Sequence, residues 1–366
     1  MTPSKKTEPV RVLHFVSGGF SGATQVAIDL VKAANGTSVQ PLLVLRRKRQ
    51  IPTTRVESLK DEGVPVETVS GLNHAASIWQ LKQICLRFKP QTLVAHGFSE
   101  HLIGRYAGLW AGVPNLIHVE HNSRERYTYL RLKQARWLAH RTRHIIGVSE
   151  GVKGRLLELG FPSEKVISIP NGIALGKFQD AETISYSSRA PNIVMCARFS
   201  GQKDHETAIR ALKLLKETGL TPKLLLAGGG KQRYRNKAET LSKELGLKDQ
   251  VVFIGLCKDV PALLKQNQIC LLSTHYEGMP LALIEGMAAG CAVVASQVVG
   301  IKEIIDHDRN GLLVPEGCPA DMANALRRLL TQPEQAATLA QHARQDALAR
   351  HGVELMRQRY QALFTA

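Results

Sequence analysis

The sequence lacks both a long apolar run and a paired cysteine motif. Its hydrophobic stretches fall far short of the roughly 18 consecutive apolar residues that a membrane-spanning helix requires. The 6 cysteines are widely spaced and form no Cys-x-x-Cys pair. This argues against a zinc cluster and fits buried thiols in a reducing cytoplasm. The amino-terminal stretch also lacks the apolar core and cleavage site of a signal peptide.

Acidic residues are few relative to basic ones. The chain of 366 residues has 48 Lys and Arg against 31 Asp and Glu, a formal net charge of +17. The excess is concentrated in residues 1–165, which hold 24 basic and 12 acidic side chains. A basic first half predicts an anionic partner. Nucleic acid, an anionic membrane surface and a phosphorylated substrate are the alternatives that charge alone leaves open.

Short β-branched runs alternate with helical patterns, and Gly or Pro stands at the joints. This alternation predicts an α/β protein with two doubly wound, parallel-sheet domains facing across a cleft. We place an N-terminal domain at 1–173, a linker at 174–191, a C-terminal domain at 192–345 and a final helix at 346–366 that packs back toward the N-terminal domain. The predicted strands are 10–16, 40–45, 92–96, 115–120, 144–148, 166–169, 193–197, 223–227, 251–254, 269–273, 292–295 and 311–314.

Two glycine-rich stretches follow predicted strands. Residues 17–23 open a helix, and residues 226–231 lack the ending of a P-loop. Glycines let a backbone approach a phosphate, but both stretches are equally compatible with ordinary turns. After strand 193–197, Arg198 and Lys203 offer a forked guanidinium and a mobile ammonium. Such a pair suits a diphosphate, the alternative being two solvated cations at a strand end.

Residues 273–290, STHYEGMPLALIEGMAAG, form the most informative segment. Glu277 and Gly278 lie in a predicted loop, Pro280 at the first helical position, and Glu285 inside the helix. The N–H groups of residues 278–281 at a helix start favour an anion. A loop carboxylate can accept hydrogen bonds from sugar hydroxyls, and a helical carboxylate can accept two from a ribose diol.

This segment resembles the E-x7-E signature of retaining glycosyltransferases of the GT-B fold, especially family 4. The likeness extends over most of the chain. Residues 21–23 resemble the N-terminal glycine loop of that family, and residues 94–96 and 118–121 resemble its strand-end histidine motifs. Residues 147–150 and 169–173 look like its VSE and PNG motifs. The sequence departs from the family at Ser21 and Thr24, where members often carry Gly and an acidic residue.

The resemblance implies roles for individual residues. Arg198 and Lys203 would neutralise the donor diphosphate, Glu277 would hold the transferred sugar, and Glu285 the ribose. His121 would lie near the reacting sugar, so that the implied catalytic residues are His121, Arg198, Lys203 and Glu277. The implied donor-binding residues are Gly22, Asn171, Arg198, Lys203, Ile254, Glu277, Gly278, Met279, Pro280, Leu281 and Glu285.

Residues 123–143 hold seven basic side chains against one acid, with aromatic and leucine residues at roughly helical spacing. The pattern predicts a basic amphipathic helix that contacts anionic headgroups, or else a surface helix that packs its aromatics on its own sheet. The cations proposed for the membrane or the acceptor are Arg124, Arg126, Arg131 and Lys133.

The resemblance implies a retaining, metal-independent transferase without a cofactor other than its nucleotide-sugar co-substrate, with UDP-sugars favoured over GDP-mannose. We expect a cytoplasmic enzyme, peripheral at the inner face of the cell membrane, that acts on a glycan or lipid-linked acceptor of an envelope polysaccharide or glycolipid. The alternatives are a nucleotide-sugar 2-epimerase of the same fold, a phosphorylase-like enzyme, whose pyridoxal phosphate lysine motif is not found, and a nucleic-acid-binding protein. Charge alone suggests the last, and we expect no nucleic-acid partner because the sequence has no zinc finger, RNP aromatic motif or recognisable basic-helix module. The oligomeric state is not predicted.

Overall fold

The computed structural model describes residues 8–19, 21–47, 53–124 and 127–365. The chain divides into two compact units. The first unit comprises Met1–Gly172 together with Val353–Ala366, and the second comprises Ile173–Gly352. Each unit has its own parallel sheet and its own hydrophobic core.

The first unit contains a seven-stranded parallel sheet with the order β3-β2-β1-β4-β5-β6-β7. Its strands are β1 (Val10–Ser17), β2 (Val39–Arg46), β3 (Val66–Val69), β4 (Thr92–His96), β5 (Asn115–Glu120), β6 (His144–Gly147) and β7 (Val166–Ser168). The helices among them are α1 (Gly22–Ala33), α2 (Thr53–Asp61), α3 (His74–Phe88), α4 (Phe98–Trp110), α5 (Tyr129–Ala139) and α6 (Glu150–Glu158). The central strands read as nearly continuous apolar runs because helices cover both faces of the sheet.

The second unit contains a six-stranded parallel sheet with the order β10-β9-β8-β11-β12-β13. Its strands are β8 (Ala190–Cys196), β9 (Leu224–Ala227), β10 (Val251–Gly255), β11 (Asn267–Leu272), β12 (Ala292–Ser296) and β13 (Leu312–Val314). Its helices are α7 (His205–Glu217), α8 (Gln232–Glu244), α9 (Val260–Lys265), α10 (Leu281–Ala288), α11 (Pro319–Thr331) and α12 (Pro333–Arg350). The two doubly wound sheets confirm the predicted fold class.

The strand order of each sheet reverses at one place. In the first unit the reversal lies between β1 and β4, and in the second between β8 and β11. Open parallel sheets bind ligands beyond the carboxyl ends of the strands at such a reversal. The loops after these four strands are therefore where functional side chains are expected in each unit.

The segment predicted as a linker at 174–191 is instead a packed part of the second unit. It forms short 3-10 turns at Leu175–Thr183 and Tyr186–Ser188, and Phe178 is fully buried. The buried Arg189 guanidinium donates to the carbonyl oxygens of Ala289 at 2.7 Å and Gly290 at 2.8 Å. The chain therefore passes from one unit to the other close to residue 172, and Ser-rich composition alone did not reveal this packing.

The end of the chain also differs from the predicted boundary at 345/346. Helix α12 continues to Arg350, and a separate helix, α13 (Val353–Thr365), follows. Because α12 packs on α10 and β12, its last turns stay with the second unit, and only α13 joins the first, where it contacts α1 and β1. The break at His351 and Gly352 therefore moves the boundary to 352/353.

Neither a membrane span nor a disulfide is found in the described part of the chain. Among the helices described, none combines the length and the apolar character needed to cross a bilayer. The six cysteines are free, and Cys85, Cys270 and Cys291 are buried. Burial raises the pKa of the Cys85 and Cys291 thiols to about 12, so these side chains act as small apolar groups.

Candidate functional site

The loop after β8 carries Arg198 and is supported by glycines that follow β9. A Cβ added at Gly228 would lie 2.1 Å from the carbonyl oxygen of Ala197, and one added at Gly230 would lie 2.4 Å from that of Phe199. Both glycines also have positive φ, 153° and 140°. Only glycine fits at these places, so the run serves to bring the two backbones together. The Arg198 side chain is exposed on the loop held in this way.

Lys203 and Glu277 form an ion pair that joins the loops after β8 and β11. Their side chains are only 12% and 9% exposed. Glu277 Oε1 also accepts a hydrogen bond of 2.8 Å from Thr274 Oγ1. Charge-assisted hydrogen bonds of this kind fix both side chains, and removal of either partner would leave a buried charge without compensation.

The main chain joins the same two loops. The Asp204 N–H donates to the Ser273 carbonyl at 3.1 Å, and the His275 N–H donates to the Gln202 carbonyl at 3.0 Å. The Gln202 side chain donates from Nε2 to the Tyr276 carbonyl at 2.7 Å. The ion pair therefore lies on a rigid backbone frame at the reversal of strand order.

Pro280 precedes helix α10 rather than occupying its first position. It has φ −77° and ψ 114°, an extended conformation, and its carbonyl accepts from Leu283 N–H at 3.2 Å. The predicted helix start was therefore one residue early. Met279 and Leu281 are buried, as is Gly278, and this part of the chain leads from Glu277 directly into the helix.

Gly300 is a supporting residue that the sequence did not reveal. A Cβ at this position would lie 1.9 Å from the carbonyl oxygen of Gly278 and 3.0 Å from that of Glu277. The backbone after β12 thus packs directly against the loop that carries the ion pair. No local motif marks this glycine, because its partners lie more than twenty residues earlier in the sequence.

Glu285 and Ile254 complete the predicted donor residues of this unit. Glu285 lies half-buried within α10. Burial first, and the charge of Glu285 second, raise the pKa of the thiol of Cys196, the last residue of β8. Glu285 therefore lies near the end of β8, whereas Ile254 lies on the edge strand β10 with 37% of its surface exposed.

In the first unit, Gly22 begins helix α1 and is exposed. The two residues that depart from the family pattern build the cap of this helix. Ser21 Oγ accepts from Thr24 N–H at 3.3 Å and lies 2.9 Å from Thr24 Oγ1, which donates to the Ser17 carbonyl at 2.8 Å. Ser21 and Thr24 thus satisfy backbone groups at the start of α1.

His121 is the end of a row of three histidines, of which His14 and His96 are buried and His121 is half-buried. His96 Nδ1 lies 3.2 Å from His121 Nε2, and His96 Nε2 lies 3.1 Å from His14 Nδ1. Burial lowers the pKa of His14 and of His121 to about 3, and that of His96 well below its ordinary value. All three imidazoles are therefore neutral near pH 7, and His121 acts there as a hydrogen-bonding group without charge.

Asn171 lies in the loop after β7 and is buried. The next residue, Gly172, donates its N–H to Met356 Sδ at 3.3 Å. Helix α13 thus packs against this loop within the first unit. The structure places Asn171, Gly22 and His121 in the first unit and the remaining predicted donor residues in the second.

A second polar cluster in the first unit surrounds a fully buried arginine. Arg105 Nη2 lies 2.6 Å from His101 Nδ1, and its Nη1 donates to Thr142 Oγ1 at 3.1 Å. Tyr127 OH lies 3.1 Å from His101 Nε2 and 3.4 Å from Glu120 Oε2. Burial lowers the pKa of Arg105 to about 10. The cluster anchors the segment before α5 to the end of β5.

Helix α5 presents cations together with apolar side chains. The helix spans only Tyr129–Ala139 of the predicted 123–143, and Arg124 precedes it. Arg124, Arg131 and Lys133 are exposed, and Arg126 lies outside the described residues. Leu138 is buried, whereas Trp137 is 44% exposed with Arg141 over its ring at 4.1 Å. Tyr129 and Leu130 are also exposed. Leu138 therefore packs within the domain, as the second alternative predicts, whereas Tyr129, Leu130 and Trp137 remain exposed.

No metal site emerges from the ranges that the structure describes. Within them, no group of three His, Cys, Asp or Glu side chains is arranged to hold a metal ion. Arg198 and Lys203 are positively charged side chains on the loop at the reversal of the second sheet.

Two family models match the chain in succession. The model described as Glycosyltransferase Family 4 matches residues 20–177, and the model described as Glycosyl transferases group 1 matches residues 181–346. The first match lies almost wholly in the first unit and the second match lies in the second unit. Together they span most of the sequence.

Individual proteins show the same similarity. EpsD of Bacillus subtilis is 32% identical over 156 residues, which is 43% of this chain and 40% of that protein. The UDP-Gal:alpha-D-GlcNAc-diphosphoundecaprenol alpha-1,3-galactosyltransferase of Escherichia coli is 25% identical over 280 residues, 71% of this chain and 72% of that protein. The match to the first of these relatives thus spans less than two thirds of its length.

The fold is shared with solved structures. HepE of Anabaena, crystallised with UDP and glucose, superposes with a TM-score of 0.84 at 20% identity, covering 97% of this chain and 99% of that chain. At this level of identity the likeness concerns the fold.

Proposed function

This chain is a GT-B glycosyltransferase of the family 4 type, and from that premise we propose that it transfers a sugar from a nucleotide-sugar donor to a glycan or lipid-linked acceptor. The observation that carries the proposal is the ion pair of Lys203 with Glu277, together with the exposed Arg198 on the loop that also carries Lys203. These groups stand at the strand-order reversal of the second sheet, where open α/β sheets bind ligands.

The arrangement suits the cleavage of a sugar–phosphate bond. This reaction develops positive charge on the sugar and negative charge on the leaving diphosphate. Arg198 offers a fork of donors to the diphosphate, and Lys203 is a cation already held in place by Glu277. Groups oriented before the reaction stabilise the leaving group without further rearrangement. We propose that Glu277 accepts hydrogen bonds from sugar hydroxyls and that Glu285 accepts them from the ribose.

A UDP-sugar is the donor that we propose first, with GDP-mannose next. HepE was crystallised with UDP and glucose, and the Escherichia coli relative is named for transfer from UDP-Gal, which supports this order. We further propose that the reaction retains the anomeric configuration and requires no metal, since Arg198 and Lys203 provide positive charge at the leaving group.

An acceptor carried on a lipid diphosphate is consistent with the basic first unit. The same relative is named for a diphosphoundecaprenol acceptor. We propose that α5, with Arg131, Lys133 and the half-exposed Trp137, contacts an anionic membrane surface at the inner face of the cell membrane. Such contacts contribute about 1 kcal/mol per nearby cation. The enzyme would then act in the synthesis of an envelope polysaccharide or glycolipid.

Thermal unfolding with UDP, GDP, ADP and CMP tests the donor site directly. A ligand at 100 times its Kd adds about 2.7 kcal/mol to the folded state, which raises Tm by a few degrees. We expect UDP to raise Tm in the parent but not in Glu285→Ala. Glu244→Ala, which removes an exposed carboxylate at the end of α8, serves as the matched control. Equal shifts in parent and Glu285→Ala would place the nucleotide elsewhere.

A nucleotide-sugar 2-epimerase of the same fold is the alternative. It needs no separate acceptor, so it would form product from donor alone. We expect incubation of the protein with donor alone to leave the sugar unchanged apart from slow hydrolysis. Conversion of the donor to its 2-epimer would establish the alternative and contradict transfer.

A further inference from the structure

Three histidines of the first unit form a diagonal row across neighbouring strands. In the pairing of β1 with β4, His14 lies opposite Val94, and in the pairing of β4 with β5, His96 lies opposite Val119. Side chains two residues apart on an extended strand share a face. His96 therefore shares the face of His14, and His121 continues the row one strand further.

The rings in this row contact one another through their nitrogens. The N···N distances are 3.1 Å between His14 and His96 and 3.2 Å between His96 and His121. Both pairs of rings are stacked with centroids 5.4 Å apart. Each contact is a hydrogen bond, so one nitrogen must carry a proton and the other must not. His96 takes part in both contacts and uses both of its nitrogens.

A neutral imidazole donates from one nitrogen and accepts at the other. If His14 donates from Nδ1, His96 accepts at Nε2 and donates from Nδ1, and His121 then accepts at Nε2 and carries its proton on Nδ1. If His121 donates from Nε2, the same reasoning places the protons of all three rings on Nε2. No mixed arrangement satisfies both hydrogen bonds.

We propose that His14, His96 and His121 share one tautomer, and that His14 sets, through His96, whether His121 donates or accepts at its remaining nitrogen. His14 and His96 are then positioning residues. His121 Nδ1 takes no part in the row, so it is available to a ligand as a donor in one arrangement and as an acceptor in the other. That this ligand is a sugar hydroxyl rests on the proposed function, whereas the shared tautomer does not.

Nitrogen NMR of the full chain labelled with 15N-histidine tests the shared tautomer. Signals are assigned by the single variants, and each neutral ring shows one protonated and one unprotonated nitrogen. We expect the protonated nitrogen to be the same in all three rings at pH 7. A spectrum in which His14 and His121 are protonated on different nitrogens would overturn the proposal, as would a doubly protonated ring.

Variants of His14 test the coupling. His14→Phe removes the partner of His96 Nε2, and we expect His121 to lose its single tautomer and to show a mixture of both. His14→Asn keeps an amide near the position of Nδ1 and should restore one tautomer. His144→Asn changes a half-buried histidine at the start of β6 outside the row, and serves as the control. Unchanged His121 signals in His14→Phe would contradict the coupling, and the parent spectrum decides the shared tautomer even if that variant fails to fold.

The consequence for activity is measured separately. In His14→Phe we expect kcat to fall about 10-fold or more with the Kd for UDP unchanged, since loss of the group that fixes the tautomer of a catalytic histidine costs up to about 10⁴-fold elsewhere. A protein that binds no nucleotide would contradict the proposed function and leave the NMR result standing. If the tautomer of His121 changed but kcat did not, His14 would not be a positioning residue for the reaction.

Discussion

The two sheets present different chemistry at the carboxyl ends of their strands. In the second unit, Lys203 and Glu277 form a buried ion pair, and Arg198 is exposed on the loop that also carries Lys203. In the first unit, His96 is buried, His121 is half-buried, and both are uncharged near pH 7. Arg46, the last residue of β2, also pairs with buried Glu100 in the first unit. The contrast therefore concerns the predicted site residues, which include charged side chains in the second unit and a neutral imidazole in the first.

This difference matches the charges that develop on the diphosphate and on the sugar in the proposed reaction. A leaving diphosphate gains negative charge, so fixed cations stabilise it. The sugar gains positive charge, and an imidazolium near it would oppose that change. A neutral imidazole can still hold a hydroxyl. On this account the second unit stabilises the leaving group and the first unit orients neutral groups.

Acidification is expected to destabilise the first unit more than the second, and this is the largest effect that we predict. Burial holds the pKa of His14 and His121 at about 3, against about 6.5 in an unfolded chain. Between these pH values the unfolded state binds more protons, so stability present above pH 6.5 is lost as pH falls toward 3. The loss is about 1.4 kcal/mol per pH unit for each such histidine. His96, His101 and His118, also with lowered pKa values, act in the same direction.

Tryptophan fluorescence reports this loss, because all 3 tryptophans, Trp79, Trp110 and Trp137, belong to the first unit. The second unit contains His205, with a pKa lowered to about 4, and should follow at lower pH. Hydrogen exchange, corrected for intrinsic rates, assigns the transition to each unit. If the second unit lost its protection at a higher pH than the first, the predicted order of acid unfolding would be wrong.

Breaking the ion pair should have the next largest effect. Lys203→Met leaves the Glu277 carboxylate buried without its cation, which costs about 3–5 kcal/mol of unfolding free energy. Urea unfolding followed by circular dichroism reports both units, and tryptophan fluorescence reports the first unit, so a transition seen by circular dichroism but not by fluorescence belongs to the second unit. The double variant Lys203→Met/Glu277→Gln should recover most of the loss. A single variant that loses less than about 1 kcal/mol would show that the pair is not a buried one.

Gly300→Ala tests the frame of the site rather than its charges. The new Cβ meets the Gly278 carbonyl, and overpacking of this kind costs about 1–3 kcal/mol. We also expect weaker UDP binding, because the Glu277 loop must shift. Gly154→Ala in α6, where nothing lies within 4 Å, is the control and should stabilise by roughly 0.5–1 kcal/mol. If Gly300→Ala is destabilised but binds UDP as the parent does, the contact between Gly300 and Gly278 does not support the donor site.

The smallest effect on stability is expected at α5. Arg131→Gln and Lys133→Gln should change unfolding free energy by no more than about 0.5 kcal/mol. Each should nevertheless weaken binding to anionic vesicles about fivefold, from about 1 kcal/mol per cation. Lys153→Gln and Arg155→Gln on α6 remove the same charge from exposed ion pairs elsewhere in the first unit. Equal losses in both sets would indicate a general charge effect instead of a contact through α5.

Much of the fold could be predicted from the sequence because most strands are buried on both faces and leave clear apolar runs. Strands β4 and β5 have the predicted bounds, and the remaining predicted strands differ at one or both ends by one to three residues.

Strand β3 was not predicted. It has only four residues, at the edge of the sheet, and two of them are half-buried. A run this short gives too little periodicity to distinguish it from a loop.

The site could be predicted only in part. Arg198, Lys203, Glu277 and Glu285 were named from local motifs, and the structure places them near the ends of β8 and β11. Pairwise contacts across the sheet could not be read in this way. The partners Lys203 and Glu277 lie 74 residues apart, and His14 and His96 lie 82 apart. Such contacts depend on the strand order, which the sequence alone does not specify.

Calorimetric titration of the parent and Arg198→Gln with UDP and UMP tests whether Arg198 contacts the donor diphosphate. If it does, the parent binds UDP more tightly than UMP, and Arg198→Gln reduces this ratio of affinities by about 10-fold or more. A hydrogen bond to a charged group contributes about 1.5–3 kcal/mol. UMP affinity should change little. An unaltered ratio of UDP to UMP affinity in Arg198→Gln would contradict the proposed diphosphate site at the end of β8.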